Sequence, residues 1–175
     1  MGFRSCVSLK LWYHSIAMVF SDGKEQELHE MFMEAALVLA REAARHGEVP
    51  IGAVVVRDNQ IIAEGYNLRE TNRDPVAHAE VVALRKAAAR LGGWRLTNCD
   101  LYVTIEPCPM CAGALIQARI RRVIYGADDP KAGAAGSVVN LFQPGLFNHD
   151  VEVIPGVLNV QCGQVMKEFF ARRRK

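Results

Sequence analysis

Residues 100–111 read Asp100-Leu101-Tyr102-Val103-Thr104-Ile105-Glu106-Pro107-Cys108-Pro109-Met110-Cys111 (DLYVTIEPCPMC). This stretch changes character in its middle, and the change sets the architecture. Residues 100–105 are rich in β-branched and aromatic side chains, so they read as a strand. Glu106-Pro107 stops it. Pro109 then suits the first turn of a helix, where a missing N–H is harmless. That helix is expected to reach about Arg119, and RVIYG, residues 122–126, reads as the next strand.

The same alternation continues outward in both directions. Upstream, Leu28, Met31, Phe32, Ala35 and Leu39 recur at the helical period, which predicts a helix over residues 24–46. Acidic residues crowd its first turns, and Gly47 is placed to end it. IGAVVV (51–56) and IIAEGY (61–66), joined by Arg57-Asp58-Asn59-Gln60, read as a hairpin. A polar loop over 67–77 leads into a helix over 78–91, closed by Gly92-Gly93. Downstream come a Gly/Ala-rich loop (127–136), a short apolar helix (137–142), a strand (151–154) and a last helix from about residue 157 to the end. A hairpin followed by alternating elements implies an α/β fold, three-layer α/β/α, with one mixed five-stranded sheet.

The chain has 175 residues, which at about 150 per domain is one domain. Half the residues are hydrophobic and 23% are charged, an ordinary globular composition that excludes a disordered tail, a collagenous chain or a disulfide-stapled module. Five cysteines, an odd number in a chain able to build a core, suit a reducing compartment, and a cytoplasmic location is expected. No apolar run approaches the roughly 20 residues of a membrane span. Residues 1–21 contain no Asp or Glu. Lys10 and His14 break the apolar run that a secretory signal needs. Residues 1–22 are read as an N-terminal extension, expected to be poorly ordered, with a targeting role as the alternative. Residues 23–175 are read as the domain.

Cys108 and Cys111 lie three residues apart at a helix start, which puts both sulfurs on one face and favours thiolate there. A lone C-x-x-C is ambiguous between metal and redox chemistry. Cys6, Cys99 and Cys162 are isolated, so a closed four-ligand site lacks its second pair. His78-Ala79-Glu80 opens the other crossover helix, and two such helices can bring their N-termini together. His78, Cys108 and Cys111 then offer three ligands to zinc and leave a fourth position for water, the arrangement of a catalytic rather than a structural site. Glu80 can face the same opening without being a ligand, placed to move protons.

H-A-E followed by P-C-x-x-C resembles the signature of the zinc nucleoside and nucleobase deaminases, with their cytidine deaminase-like fold. Within that superfamily the chain is similar to the bacterial tRNA-specific adenosine deaminases over residues 25–174. The matching stretches include Glu48-Val49-Pro50-Ile51-Gly52-Ala53-Val54, Asp74-Pro75, Leu101-Tyr102-Val103-Thr104, Cys111-Ala112-Gly113-Ala114, Gly133-Ala134-Ala135-Gly136-Ser137 and Phe169-Phe170 before an arginine cluster. The resemblance implies hydrolytic conversion of adenosine to inosine at the wobble position of tRNA, one Zn2+ per subunit and a homodimer. An arginine tRNA, met at its anticodon stem-loop, is the expected partner. It assigns His78, Cys108 and Cys111 as zinc ligands and Glu80 as proton shuttle. Asn67 is implied as a contact of the flipped base and Asp129 as a neighbour of a flanking ribose, with Asp128 competing. Arg172, Arg173 and Arg174 are implied as contacts of the RNA backbone.

The alternatives are a deaminase of free guanine or cytidine, a non-catalytic zinc-containing RNA-binding partner, and a redox C-x-x-C protein. Charge distribution bears on the choice. The net charge is only +2, but residues 1–118 hold 12 Lys and Arg against 14 Asp and Glu, while residues 119–175 hold 9 against 5. The total alone would dismiss nucleic acid; the basic C-terminal third permits a phosphate-contacting edge.

Overall fold

Every residue of strand β3 (Cys99–Ile105) is buried, as expected of a central strand covered on both faces. The structure, a computed structural model, describes the backbone of residues 7–173 and the side chains of residues 23–173. The remaining elements are α1 (Val7–Arg45), β1 (Gly52–Arg57), β2 (Gln60–Tyr66), α2 (Arg69–Asn72), α3 (Ala79–Leu91), α4 (Pro109–Gln117), β4 (Arg122–Ala127), β5 (Glu152–Ile154) and α5 (Asn159–Arg173). The sheet order is β2-β1-β3-β4-β5. β1 pairs antiparallel with β2 and β3, whereas β3, β4 and β5 run parallel, so the sheet is mixed as expected. The β1–β2 connection is the two-residue turn Asp58-Asn59, both at positive φ, the conformation that matches strand twist.

Two apolar layers sandwich the sheet. α3 and α4 bury Ala79, Ala83, Ala112 and Leu115 against Val55, Leu101 and Val103 on one face. α1 and α5 bury Phe32, Met33, Leu37 and Cys162 against Val54, Tyr102 and Ile124 on the other. Two glycines set the approach. A Cβ at Gly52 would run into the Ala36 carbonyl and the Ala40 amide of α1, and one at Gly65 into the Ala79 carbonyl and Ala83 amide of α3. Backbone therefore packs on backbone at these points.

α3 and α4 lie on the same face and start at the same sheet edge. That edge collects the ends of four strands: the entry to β1, the exits of β2, β3 and β4. At the opposite edge the buried carboxylate of Asp100 accepts hydrogen bonds from Arg121 and Arg122, and the Tyr102 hydroxyl meets His29 Nδ1 at 2.9 Å.

Three expectations are corrected. The predicted helix over 137–142 is absent: the chain turns there, with a bridge between Ala135 and Asn140. The Ser137 N–H and hydroxyl both go to Glu106 instead of a helical ladder. α1 begins at Val7 rather than near Lys24, since residues 7–22 contain neither proline nor glycine to end a helix. α2 is an unexpected single turn inside the 67–77 loop. Of the extension expected over residues 1–22, residues 1–6 lie outside the described residues and 7–22 are helical backbone.

Candidate active site

His78 and Cys108 occupy equivalent places. Each immediately precedes a helix in extended backbone, and each carbonyl accepts the first helical hydrogen bond, from Val82 and Ala112 respectively. Pro109 at the first position of α4 fixes the entry. One turn further, Cys111 returns to the same side. His78 Nδ1 lies 3.7 Å from Cys108 Sγ and 3.5 Å from Cys111 Sγ, and the three donor atoms all fall within 4.8 Å of one another.

These donors fit zinc. Zn–S near 2.3 Å and Zn–N near 2.0 Å at a tetrahedral angle separate nitrogen from sulfur by about 3.5 Å, close to both observed distances. The cysteines are electrostatically unequal. Hydrogen bonds from Cys111 and His78 outweigh burial and push the Cys108 thiol down to about 4. The same bond to Cys108, with burial, pushes Cys111 far up. The Cys108 contact raises His78. A cation at the centre of the three favours the second thiolate as well.

Glu80, in the first turn of α3, is 3% exposed. Burial pushes its carboxyl above the usual carboxylate range, and the negative charge at Cys108 adds to the effect. Its Oε2 is buried without a hydrogen-bond partner among the described residues. An orphaned carboxylate oxygen is costly, and its persistence beside three soft donors points to a role in chemistry.

Glu106, two residues before Cys108, is buried to the same degree but fully satisfied. It accepts from the backbone N–H of Asp129 (3.0 Å), Ala135 (2.8 Å) and Ser137 (3.1 Å), and from the Ser137 hydroxyl. Burial alone would raise its carboxyl; these bonds outweigh burial and hold it low. The loop after β4 is thereby folded onto the strand that delivers Cys108. Gly133 lies against the Glu106 carboxylate, where a Cβ would collide with it.

Asn67 directly follows β2 and is buried. Its Nδ2 donates to Glu48 Oε2 at 3.1 Å. Glu48, fully buried, also accepts from the backbone N–H of Glu70 (3.3 Å) and Thr71 (2.7 Å), so it caps the start of α2. Asp129 is half-buried, and its Oδ1 accepts from the Lys131 and Ala132 amides. Asp128 is exposed and close to Tyr125. Arg172 is exposed on the last turn of α5. Arg173 stacks over the Phe169 ring at 4.5 Å and donates to the Gly47 carbonyl. Arg174 lies outside the described residues. With Arg41, Arg45 and Phe169, Arg172 and Arg173 line a cleft of about 550 Å³ between α1 and α5.

The structure thus brings His78, Glu80, Cys108 and Cys111 together and sets Asn67 and Asp129 on strand exits at the same edge. Sequence reasoning gave no role to Glu48 or Ser137. The only signal for Glu48 was its place in Glu48-Val49-Pro50, just ahead of β1.

Residues 27–174 match a family model described as MafB19-like deaminase. A tRNA-specific adenosine deaminase of Bacillus subtilis is 49% identical over 146 residues, covering 83% of this chain and 91% of that protein. A solved structure from work on A-to-I editing by tRNA:A34 deaminases superposes with a TM-score of 0.75 at 47% identity, covering 77% of this chain and 98% of that one. A guanine deaminase from Nitrosomonas europaea gives a TM-score of 0.71 at 27% identity, with 81% and 84% covered.

Proposed function

We propose, for a chain that belongs to the family of tRNA-specific adenosine deaminases, a division of labour among the residues of this edge. The enzyme is a hydrolase that converts adenosine to inosine at the wobble position of tRNA. His78, Cys108 and Cys111 would hold one zinc ion. Bound there, zinc supplies the Lewis acidity that makes water nucleophilic at neutral pH.

Deamination replaces the amino group on an amidine carbon with oxygen and moves both water protons to nitrogen, one onto the ring and one onto the departing amine. The amine must leave as ammonia, because amide ion is far too basic. Glu80 carries those protons. Its Oε2 has no competing partner, and its raised affinity for a proton suits an acid–base group working near neutrality. This unpaired buried oxygen beside the three donors is the observation that carries the reading. Asn67 meets the base after it leaves the loop stack, and Asp129 meets a flanking ribose through the oxygen its turn does not use.

The cleft between α1 and α5, with Arg41, Arg45 and Arg172, suits the phosphates of an anticodon stem-loop, with an arginine tRNA as the preferred substrate. An apolar groove between α3 and α4, lined by Leu84, Leu96, Ala114 and the exposed Trp94, suits a second copy of the chain. No helix among the described residues is long and apolar enough to cross a membrane. With free thiols at Cys99, Cys108, Cys111 and Cys162, a cytoplasmic enzyme is proposed. Residues 23–175 form the deaminase domain, and residues 1–22 extend it.

The test is turnover. The zinc-loaded protein is incubated with an arginine tRNA carrying adenosine at the wobble position, and the product is sequenced for A-to-G conversion. Conversion that disappears in Glu80→Ala supports the reading. No conversion by the unaltered protein, or faster release of ammonia from free guanine than from tRNA, sinks it.

A further inference from the structure

We infer that Glu48 is a positioning residue: it decides which end of the Asn67 amide meets the bound base. The inference rests on the proposed role of Asn67 in contacting that base. An asparagine side chain has a donor end and an acceptor end of nearly equal shape, and a 180° rotation exchanges them. A pocket that reads a base by hydrogen bonds must remove this ambiguity. A carboxylate can do so, because an ionised carboxylate only accepts.

The surroundings keep Glu48 ionised and in place. It is 0% exposed and accepts from three donors. Burial would raise its carboxyl, but the Thr71 and Glu70 hydrogen bonds outweigh it and hold the group in its charged form, with help from Arg173. Oε1 is taken by the Thr71 amide, while Oε2 is shared by the Glu70 amide and Asn67 Nδ2. The donor end of Asn67 therefore faces Glu48. Oδ1 is left for the exocyclic amine, the one hydrogen-bond donor that an adenine base carries. The neighbouring Gly47 carbonyl is held by Arg173, so the end of α5 is fastened to the turn that carries Glu48.

Glu48→Gln separates positioning from packing. The Thr71 amide retains the glutamine oxygen, which puts the new NH2 where Oε2 was, facing two donors. The Asn67 amide relieves the conflict by rotating, and its NH2 then faces the base. The expected loss in kcat/KM for tRNA is about 10- to 100-fold, the cost of leaving one buried polar group facing the wrong partner. In an Asn67→Ala background the same substitution should cost about 3-fold or less, because the group it positions is gone. The double variant Glu48→Gln/Asn67→Asp should recover activity over Glu48→Gln alone, since the new carboxylate accepts from the glutamine NH2 with one oxygen and offers the other to the base. Zinc content should stay at the unaltered level throughout.

An equal loss in both backgrounds, or no recovery in the double variant, overturns the inference while leaving the functional reading intact. Absence of turnover by the unaltered enzyme overturns both. A measurement on the unaltered chain guards against a variant that fails to fold. By NMR, one Asn67 Nδ2 hydrogen should be shifted downfield and protected from exchange, and two rapidly exchanging hydrogens would overturn the inference.

Discussion

Glu80 and Glu106 are glutamates of equal burial at the same sheet edge, yet their surroundings treat them in opposite ways. Glu106 is surrounded by donors that hold its charge, and it ties the loop after β4 to the strand exit before Cys108. Glu80 has one oxygen with no partner among the described residues, and burial pushes its carboxyl up. A satisfied buried carboxylate is a structural joint. An unsatisfied one beside metal-ligating donors is available to exchange protons. Burial alone does not tell the two apart; the count of donors around each does.

The comparison breaks most visibly at Glu80. Glu80→Gln should lower single-turnover deamination by about 10²- to 10⁴-fold, while zinc content and thermal midpoint stay near those of the unaltered protein. A comparable fall in the midpoint would mean that Glu80 is a structural group after all.

Glu106→Ala should do the reverse. It strands several partly buried N–H groups and is expected to cost about 2–4 kcal/mol, or roughly 5–15 °C in Tm for a chain of this size. Scanning calorimetry reads this directly. Gly133→Ala, which drives a methyl into the Glu106 carboxylate, should cost about 1–3 kcal/mol by the same measurement.

Acid sharpens the distinction further. Glu106 and Glu48 have folded-state affinities for protons below their unfolded ones. Their contribution is therefore complete above the unfolded carboxylate range of about 4.3 and is lost as pH falls through the lower folded value. The stability gap between Glu106→Gln and the unaltered protein, read by denaturant titration, should begin to narrow as pH falls below about 4 and keep narrowing with further acid. A gap that does not narrow with acid would mean that charge is not what Glu106 contributes. The smallest effect is expected at the exposed Arg172. Arg172→Ala should weaken tRNA binding about equally for every sequence and lower the slope of log affinity against log salt by about one.

The sheet and the donor set were legible because their signals are local. β-branched runs, a two-residue polar turn, and a proline beside paired cysteines each speak within a few residues. The partners of Glu48 and Glu106 were not legible, because each depends on amides more than 20 residues away that only the folded loops deliver. The segment around Ser137 misled for the same reason: SVVNLF has helical apolar spacing, yet Glu106 takes the Ser137 donors and Val138 and Val139 are left exposed.

Gly65 sits on β2, away from the three donor atoms, and its missing side chain lets the Ala79 carbonyl of α3 rest on the strand. Ala79 is the residue after His78. A single methyl group at Gly65 would lever the first turn of α3 off the sheet and carry the imidazole away from two sulfurs anchored on α4. The empty space of one hydrogen atom is in this sense a gauge block for the three donor atoms, and an absent carbon sets how closely nitrogen approaches sulfur.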